Sequence, residues 1–221
     1  MMATLLADLI KHLLYVRYID FETLKKILKV APEVLERLLL SLESQDLVRV
    51  YDGRVEVSNV IGLAIEGLRS GLTHDSVAGG LNWRDFERYA SKILEAHGFM
   101  VYRGLRGGFS EGRFEIDVFG FKEALALAID CKHWKRTHFS ILRNHVERHI
   151  SRVELLSYAI RARVVDVGFR RGKILPVIVT LAEHSRNTIN NVPIVPISKF
   201  NDFILNTRKY MEELSLITFK V

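Results

Sequence analysis

Two aspartates and a lysine stand out because their spacing could support metal-dependent hydrolysis. Asp117 lies in one alternating stretch of polar and apolar residues, and Asp130 and Lys132 lie in the next one. Such alternation predicts β-strands, and two successive strands can bring these side chains onto one face. Carboxylate oxygens are preferred ligands of Mg²⁺, and of Mn²⁺ as an alternative. A neighbouring lysine could orient a water molecule or offset charge on a phosphate. The spacing therefore predicts a site that hydrolyses phosphodiesters.

The expected register follows from a hairpin that turns at Lys122 and Glu123. It pairs Asp117 with Ala128, so that Asp117 and Asp130 become diagonal neighbours about 7 Å apart at their Cα atoms. The alternative is a solvent-facing hairpin whose charges only form ion pairs. The neighbouring alanines favour partial burial of the acids, and burial makes unpaired carboxylates costly.

The elements around this hairpin indicate an α/β domain. Asn82 is expected to cap a helix over 83–97, which carries Glu87 as a further candidate metal ligand. A glycine-rich connection is predicted at 103–112. The remaining predicted elements are strands at 99–102, 113–121, 124–132, 174–182 and 193–198 and helices at 137–163 and 199–214. Strands that alternate with helices around apolar runs predict a mixed sheet flanked by helices.

The first part of the chain has the element order of a small winged helix-turn-helix domain, predicted at 1–72. Three amphipathic helices precede two alternating runs joined by Asp52-Gly53, a strong hairpin signal. The expected recognition helix, 32–45, carries three glutamates against one arginine, whereas helices that enter the major groove usually carry basic or amide side chains. We therefore expect this domain to dimerise or to position the second domain, predicted at 80–221. The segment 73–80 is interpreted as a linker.

Charge separates the two halves. Residues 1–75 contain 9 Lys and Arg against 11 Asp and Glu, a net charge of −2, and residues 76–221 contain 23 against 15, a net charge of +8. A basic domain favours polyanions, nucleic acid first, although general solubility is the alternative explanation. The single cysteine, Cys131, excludes an internal disulfide framework and fits a reducing cytosol. No apolar run approaches the ~18 residues of a membrane span, so we expect a cytoplasmic protein without a membrane partner.

Basic side chains near the predicted hairpin are candidates for DNA contact. Several of these basic residues lie in the 103–112 segment, whose glycines would let the backbone approach a phosphate closely. The alternative is that this segment is only a flexible loop. His145 and His149 have a spacing that can bind zinc, but no third ligand is evident in the sequence, so a helix facing DNA or solvent is favoured. The candidate DNA-binding residues are Arg103, Arg106, Arg113, His133, Lys135, Arg136 and Arg143.

The chain resembles the PD-(D/E)xK nuclease superfamily in three stretches. These are N-W-R-D-F-E-R-Y-A-S-K-I-L-E-A-H-G-F (82–99), E-I-D-V (115–118) and I-D-C-K-H-W (129–134). The sequence looks most like the Mrr-type restriction endonuclease domain and archaeal Holliday junction resolvases. The resemblance implies a restriction-endonuclease-like fold with the helix glutamate at Glu87, the strand aspartate at Asp117, and the (D/E)xK pair at Asp130 and Lys132. The Mrr-type subgroup often has glutamine where this chain has Asp130.

These features predict a metal-dependent DNA endonuclease that acts in restriction, repair or recombination. The predicted catalytic residues are Glu87, Asp117, Asp130 and Lys132, and the three acids are the predicted metal ligands. We expect a homodimer because cutting two strands requires two sites. The alternative is a non-catalytic DNA-binding transcriptional regulator with a relic nuclease fold. A further alternative is an RNA nuclease or toxin-like interferase, because the motifs do not distinguish the two nucleic acids.

Overall fold

A computed structural model describes residues 2–109, 112–134, 137–168 and 171–220 of the chain. The chain divides into two compact units, Met1–Asp85 and Phe86–Val221. The division into domains at 1–72 and 80–221 stays a prediction. Within the described ranges, no helix is both long and apolar enough to cross a membrane.

The first unit combines helices with a small antiparallel sheet in the order β1-β3-β2. The predicted hairpin is confirmed, since Asp52 and Gly53 both take positive φ between its strands. Most of the segment 73–80, which was expected to be an irregular linker, is a helix (His74–Gly79). The Thr73 hydroxyl caps this helix by accepting a 3.2 Å hydrogen bond from the Ser76 N–H. The helices are α1 (Met2–Val16), α2 (Phe21–Leu28), α3 (Pro32–Glu43), α4 (Val60–Arg69) and α5 (His74–Gly79), and the strands are β1 (Tyr18–Asp20), β2 (Val48–Tyr51) and β3 (Arg54–Val57).

Apolar stripes at helical spacing build the core of this first unit. Leu9, Ile10, Leu13 and Leu14 of α1 are fully buried, as the i, i+1, i+4, i+5 pattern predicts. The following helices add their own buried leucines, Leu24, Leu35, Leu39 and Leu42. Burial of each such side chain contributes on the order of 1.5–3 kcal/mol, so this unit has a substantial core.

The second unit begins within helix α6 and contains a mixed sheet flanked by helices. Asn82 caps α6, because its side-chain oxygen accepts a 2.9 Å hydrogen bond from the Asp85 N–H, as predicted. The elements are α6 (Trp83–Ala96), β4 (Met100–Phe109), β5 (Gly112–Lys122), β6 (Leu125–Lys132), α7 (Phe139–Arg161), β7 (Arg171–Thr180), β8 (Thr188–Ile189), β9 (Val192–Pro196), α8 (Ile197–Asn206), a 3₁₀ turn (Thr207–Tyr210) and β10 (Ile217–Lys220).

The strand order of the large sheet is β4-β5-β6-β7-β9-β8, and β10 also pairs with β7. Strands β4, β5 and β6 form an antiparallel meander, whereas β6–β7 and β7–β9 are parallel. The long crossover between β6 and β7 contains α7, as a parallel connection requires. The mixed sheet flanked by helices is therefore confirmed, and the order within it brings the carboxyl end of β6 beside that of β7.

Helices α6 and α7 cover opposite faces of this sheet. A side chain at Gly120 would collide with Leu94 of α6, whereas Phe119 packs in one core cluster with Val153 and Leu156 of α7. Adjacent residues of a strand point to opposite faces, so each helix covers one face. Strand β6 is consequently buried on both sides from Leu125 to Asp130.

Two of our expectations for the β4–β5 region were wrong. The glycine-rich segment 103–112 is largely strand, since β4 continues to Phe109. Strict alternation along β5 also fails, because Ile116 and Phe119 belong to the same core cluster. The cause is Gly104 of β4, which lies opposite Asp117. Arg103 pairs with Val118 and Leu105 pairs with Ile116, whereas Gly104 between them takes a φ of +61°. A left-handed residue interrupts the pleat, so the side chains change face there.

Candidate active site

The two predicted strand aspartates meet, in a register that differs from the expected one. Strand β5 pairs Val118 with Ile129, and continuing this ladder by one residue sets Asp117 across from Asp130. The expected pairing of Asp117 with Ala128 was wrong. The hairpin turns at Glu123 and Ala124, where Glu123 takes a φ of +56°. Moving the turn by one residue shifts the pairing by two, which preserves the faces but makes the acids direct neighbours.

Asp117 is held by the backbone of the neighbouring strand. Its Oδ2 atom accepts a 2.8 Å hydrogen bond from the backbone N–H of Cys131, which lies between Asp130 and Lys132. Burial, followed by the charge of Asp130, raises the pKa of Asp117 to about 6, although the hydrogen bond from Cys131 and the charge of Lys132 act in the opposite direction. This carboxyl group is therefore fixed in position and poorly compensated in charge.

Asp130 is almost fully buried, at 2% exposure, beside two cations. Its Oδ2 atom lies 2.8 Å from Nζ of Lys132, and its Oδ1 atom lies 3.5 Å from a guanidinium nitrogen of Arg152 on α7. A buried carboxylate requires such partners, because isolated burial of a charge is costly. Asp130 and Lys132, the (D/E)xK pair, thus form an ion pair on β6, and Arg152 approaches Asp130 from α7.

Glu87 of α6 completes a concentration of negative charge around Asp117. Burial, followed by the charges of Asp117 and Glu115, raises the pKa of Glu87 to about 7. Lys132 lowers this pKa, and Asp130 raises it further. The charge of Asp130 thus disfavours ionisation of Asp117, and the charges of both aspartates disfavour ionisation of Glu87, within a partly desolvated space.

This arrangement has the donor chemistry of a hard divalent cation. Within the described ranges, no group of three or more His, Cys, Asp and Glu side chains is arranged as a metal site. Nevertheless, Glu87, Asp117 and Asp130 supply only oxygen donors, and their mutual repulsion is the charge that a bound cation would neutralise. The residues therefore fit such an ion, with Asp117 and Asp130 as the central pair.

Cys131 is partly buried and His149 is fully buried, and both have structural contacts. Burial, together with the nearby acids, holds the pKa of the Cys131 thiol above its usual range, which disfavours a reactive thiolate. Nε2 of His149 lies 2.8 Å from the carbonyl oxygen of Ala128, so this nitrogen carries the proton. His145 instead packs edge-on against Trp134, with ring centroids 4.8 Å apart. The histidine pair is therefore not directed at a shared ligand, which removes the support for a zinc site.

The candidate DNA-binding residues have different environments. Arg103 and Arg113 are exposed on the β4–β5 hairpin. Arg106 forms a 2.6 Å ion pair with Glu115, and Arg143 forms a 2.9 Å ion pair with Glu147. A phosphate would have to compete with these carboxylates. His133 packs edge-on against Phe86, with ring centroids 5.4 Å apart. Lys135 and Arg136 lie outside the described residues.

Sequence reasoning did not assign Arg152 or His149 to the site. Both lie on α7, far from the motif in sequence, and contact β6 through packing of the helix on the sheet. Their only signal was helical spacing: positions 145, 149 and 152 follow the i, i+4, i+7 pattern of one helix face. That pattern identifies a shared face but not the strand that the face covers.

Part of the chain is similar to a known protein family. Residues 82–166 match the archaeal Holliday junction resolvase (Hjc) family. The Hjc match contains Glu87, Asp117, Asp130 and Lys132, together with the whole of α7. It indicates a nuclease-like domain of the PD-(D/E)xK type in this part of the chain.

Individual relatives are more distant. An uncharacterized protein of Archaeoglobus fulgidus is 29% identical over 139 residues, which covers 62% of this chain and 100% of the relative. Among solved structures, the protein of unknown function AF1548 has 18% identity and a TM-score of 0.37, over 52% of this chain and 57% of its own. Protein VC1899 from Vibrio cholerae has 10% identity and a TM-score of 0.37, over 96% of this chain and 57% of its own.

A third solved structure is Can2 from Sulfobacillus thermosulfidooxidans, in complex with cyclic tetra-adenylate. It has 13% identity and a TM-score of 0.36, over 78% of this chain and 44% of its own. The chain thus spans 57% or less of the length of each of these three solved proteins.

Proposed function

We propose that this chain is a metal-dependent DNA endonuclease that hydrolyses phosphodiester bonds. The observation that carries the proposal is the charge crowding of Glu87, Asp117 and Asp130 beside Lys132. Three acids crowded beside a partly buried lysine, with the pKa of Glu87 and of Asp117 raised, would be costly as a purely structural cluster but suit the binding of a divalent cation and a phosphate. The Hjc match over the same residues supports this choice of chemistry.

Each site residue has a role in this proposal. Asp117 and Asp130 would hold Mg²⁺ or Mn²⁺, with help from Glu87. When bound, the cation would polarise the phosphodiester and promote ionisation of a water molecule. Lys132 lies 2.8 Å from Asp130 and would interact with a phosphate oxygen or orient the attacking water. Asp130 is buried, and interactions between charges are stronger where less water surrounds them.

The first unit would have a positioning role. Helices α1 to α3 followed by the β2–β3 hairpin have the order of a winged helix-turn-helix domain, and β1 extends its sheet. Helix α3 carries Glu33, Glu36 and Glu43, and Glu43 is occupied by a 2.8 Å hydrogen bond from the Val50 N–H. This acidic helix is unsuited to the major groove. We propose that the winged helix mediates homodimerisation or orients the nuclease domain on DNA.

A cleavage assay with matched variants tests the endonuclease. The substrates are labelled linear, nicked, branched and methylated DNAs and the corresponding RNAs, each with Mg²⁺, Mn²⁺ or EDTA. We expect metal-dependent cutting of DNA that Asp130→Asn, Asp117→Asn and Lys132→Met reduce at least about 100-fold, because each removes an interaction with the cation or the transition state. Preference among the DNAs would identify the substrate.

Two control variants keep the test specific. Glu87→Gln is compared with Glu95→Gln, which changes an exposed glutamate two turns further along the same helix. Asp130→Asn is compared with Asp202→Asn on α8, an exposed position. Both controls should cut like the unmodified protein. DNA binding without cutting, equal in all variants, would contradict the endonuclease and favour a DNA-binding regulator. Cutting of RNA alone would replace DNA as the substrate.

A further inference from the structure

A cleft lies between β5 and α7, next to the candidate active site. Its volume is about 360 Å³. The helix presents Arg148, Arg152 and Leu155 to it at i, i+4 and i+7, the spacing of one helix face. The lining residues are Arg113, Glu147, Arg148, Ser151, Arg152 and Leu155. Three arginines from two elements therefore converge on one small space.

The positive charge of this cleft is not compensated by its own acid. Glu147, the one carboxylate in the lining, forms its 2.9 Å ion pair with Arg143. Among the described residues, neither Arg113 nor Arg148 forms an ion pair. Arg148 is oriented by contacts to the Asn144 carbonyl at 3.3 Å and to a ring nitrogen of His145 at 3.1 Å. Guanidinium groups held in this way favour an anionic ligand over water alone.

Arg152 connects the cleft with the acids. It lines the cleft, and one of its guanidinium nitrogens lies 3.5 Å from Oδ1 of Asp130. A ligand in the cleft is thus separated from Asp130 by a single side chain. If Asp130 acts at one phosphate of a nucleic-acid strand, a group bound in the cleft lies within reach of that same strand.

We propose that this cleft binds a phosphate ester of the nucleic-acid strand that enters the active site. Guanidinium groups are planar donors that match phosphate oxygens in bidentate geometry. The cleft has three of them but only one carboxylate, so its net charge is positive. Leu155 offers an apolar wall beside them, suited to the sugar that accompanies each phosphate. The phosphate is either an internal one of the strand or a terminal one. This inference rests on the proposed function, since it takes nucleic acid as the substrate.

Equilibrium binding without metal tests the cleft separately from cleavage. The affinity of the full chain for a labelled DNA oligonucleotide is measured in EDTA over a range of salt concentrations. We expect the double variant Arg113→Gln/Arg148→Gln to bind more weakly. In a plot of log K against log salt concentration, the magnitude of the slope should fall by about one unit for each phosphate contact removed. Both side chains are exposed, so these substitutions should leave the fold intact, which a thermal melt verifies.

The control is Arg161→Gln, which removes an arginine from the last turn of the same helix, outside the cleft. It should retain the slope of the unmodified protein. Arg148→Lys keeps the charge but loses the planar fork, so it should keep most of the slope while lowering affinity. If the double variant and Arg161→Gln share the unmodified slope and affinity, the cleft does not bind phosphate.

Two further comparisons distinguish a terminal from an internal phosphate, and the proposed phosphate cleft from the proposed endonuclease. Removal of the 5′-phosphate from the oligonucleotide identifies a terminal phosphate if it weakens binding to the unmodified protein but not to the double variant. A weaker double variant with no effect of the 5′-phosphate identifies an internal phosphate. A protein that never cuts, yet loses binding only in the double variant, would refute the endonuclease and retain the cleft.

Discussion

The carboxylate of Asp117 accepts a 2.8 Å hydrogen bond from the backbone N–H of Cys131 on the neighbouring strand. Because Cys131 lies between Asp130 and Lys132 in β6, this bond holds Asp117 close to both residues. A backbone donor cannot rotate away as a side chain can, so the bond holds Asp117 in place. Its orientation is thus built into the β5–β6 pairing, and its partly desolvated charge has consequences for stability, pH dependence and metal binding.

Asp117→Asn should stabilise the metal-free protein at alkaline pH. The folded-state pKa of Asp117, about 6, lies above its ordinary 3.8. The carboxyl group therefore favours the fold while protonated, and this contribution is lost as the pH rises through about 6. Asparagine removes the charge and keeps an oxygen to accept the Cys131 bond. In EDTA at pH 8 we expect a rise in Tm of a few degrees, at roughly 2–4 °C per kcal/mol.

The measurement is a thermal melt of both proteins from pH 4 to pH 8. The difference in Tm should be small at pH 4, where Asp117 is largely protonated in the folded chain and roughly half protonated in the unfolded chain. Asp202→Asn, at an exposed position, serves as the control. A variant with the same or a lower Tm at pH 8 would show that the charge of Asp117 is already compensated in the protein.

Divalent cations should stabilise the protein, and more strongly at higher pH. A cation at 100 times its Kd adds about 2.7 kcal/mol to the free energy of unfolding. Binding requires ionised carboxyl groups, and Glu87 and Asp117 have pKa values raised to about 7 and about 6. We therefore expect Mg²⁺ or Mn²⁺ to raise Tm at pH 8, to raise it far less at pH 5.5, and to enhance DNA cutting over the same interval.

Differential scanning fluorimetry with titrated metal measures this effect. Asp130→Asn should abolish the rise in Tm, whereas Glu95→Gln should retain it, because Glu95 is an exposed residue paired with Lys92. An increase in Tm that survives Asp130→Asn would place the cation elsewhere on the protein.

His149→Gln should change how stability depends on acid. Burial lowers the pKa of His149 below 6.5, although the charge of Asp130 acts in the opposite direction, and Arg152 and Lys132 lower it further. The unfolded chain therefore binds a proton that the folded chain excludes, so the free energy of unfolding falls as the pH drops below 6.5. Glutamine can donate to the Ala128 carbonyl but does not titrate. It should destabilise the protein at pH 7 and by less at pH 5.

Chemical denaturation at several pH values gives the required free energies. His138→Gln, which changes an exposed histidine at the start of the same helix, should leave the pH dependence unaltered. A deficit of His149→Gln that stays constant from pH 7 to pH 5 would mean that His149 titrates normally in the fold.

Gly104 should tolerate asparagine better than alanine. It takes a φ of +61°, and apart from its chain neighbours no heavy atom of the described residues lies within 4 Å of a Cβ added there, so the cost of substitution is conformational. Left-handed backbone costs an ordinary residue about 1–2 kcal/mol, and asparagine less. We expect Gly104→Ala to lower the free energy of unfolding by that amount and Gly104→Asn by clearly less, as measured by urea denaturation. Equal losses in both variants would indicate that packing or hydrogen bonding, and not φ, requires this glycine.

Local patterns in the sequence determined many of the elements. Apolar spacing predicted α1 and α6, and alternation predicted β5 and β6 to within a residue or two. The long helix α7 was also predicted, over 137–163. These elements depend on interactions between near neighbours along the chain. The short strands β1, β8 and β10 went unpredicted. Strand β8 has only two residues, which pair with the neighbouring β9. Strands β1 and β10 are instead stabilised by distant partners, since β1 pairs with β3 and β10 pairs with β7. Such pairs have almost no local signal.

The candidate site shows the same division. Residue types and spacing in the sequence singled out Asp117, Asp130 and Lys132, because carboxylates and a lysine on successive strands imply cation and phosphate chemistry wherever the strands lie. Glu87 was added as a candidate on the preceding helix. Tertiary structure decided how they meet. A turn at Glu123 set the register, and the packing of α7 on the sheet brought Arg152 to Asp130. Register and helix docking depend on contacts between residues far apart in the chain, which a one-dimensional pattern does not encode.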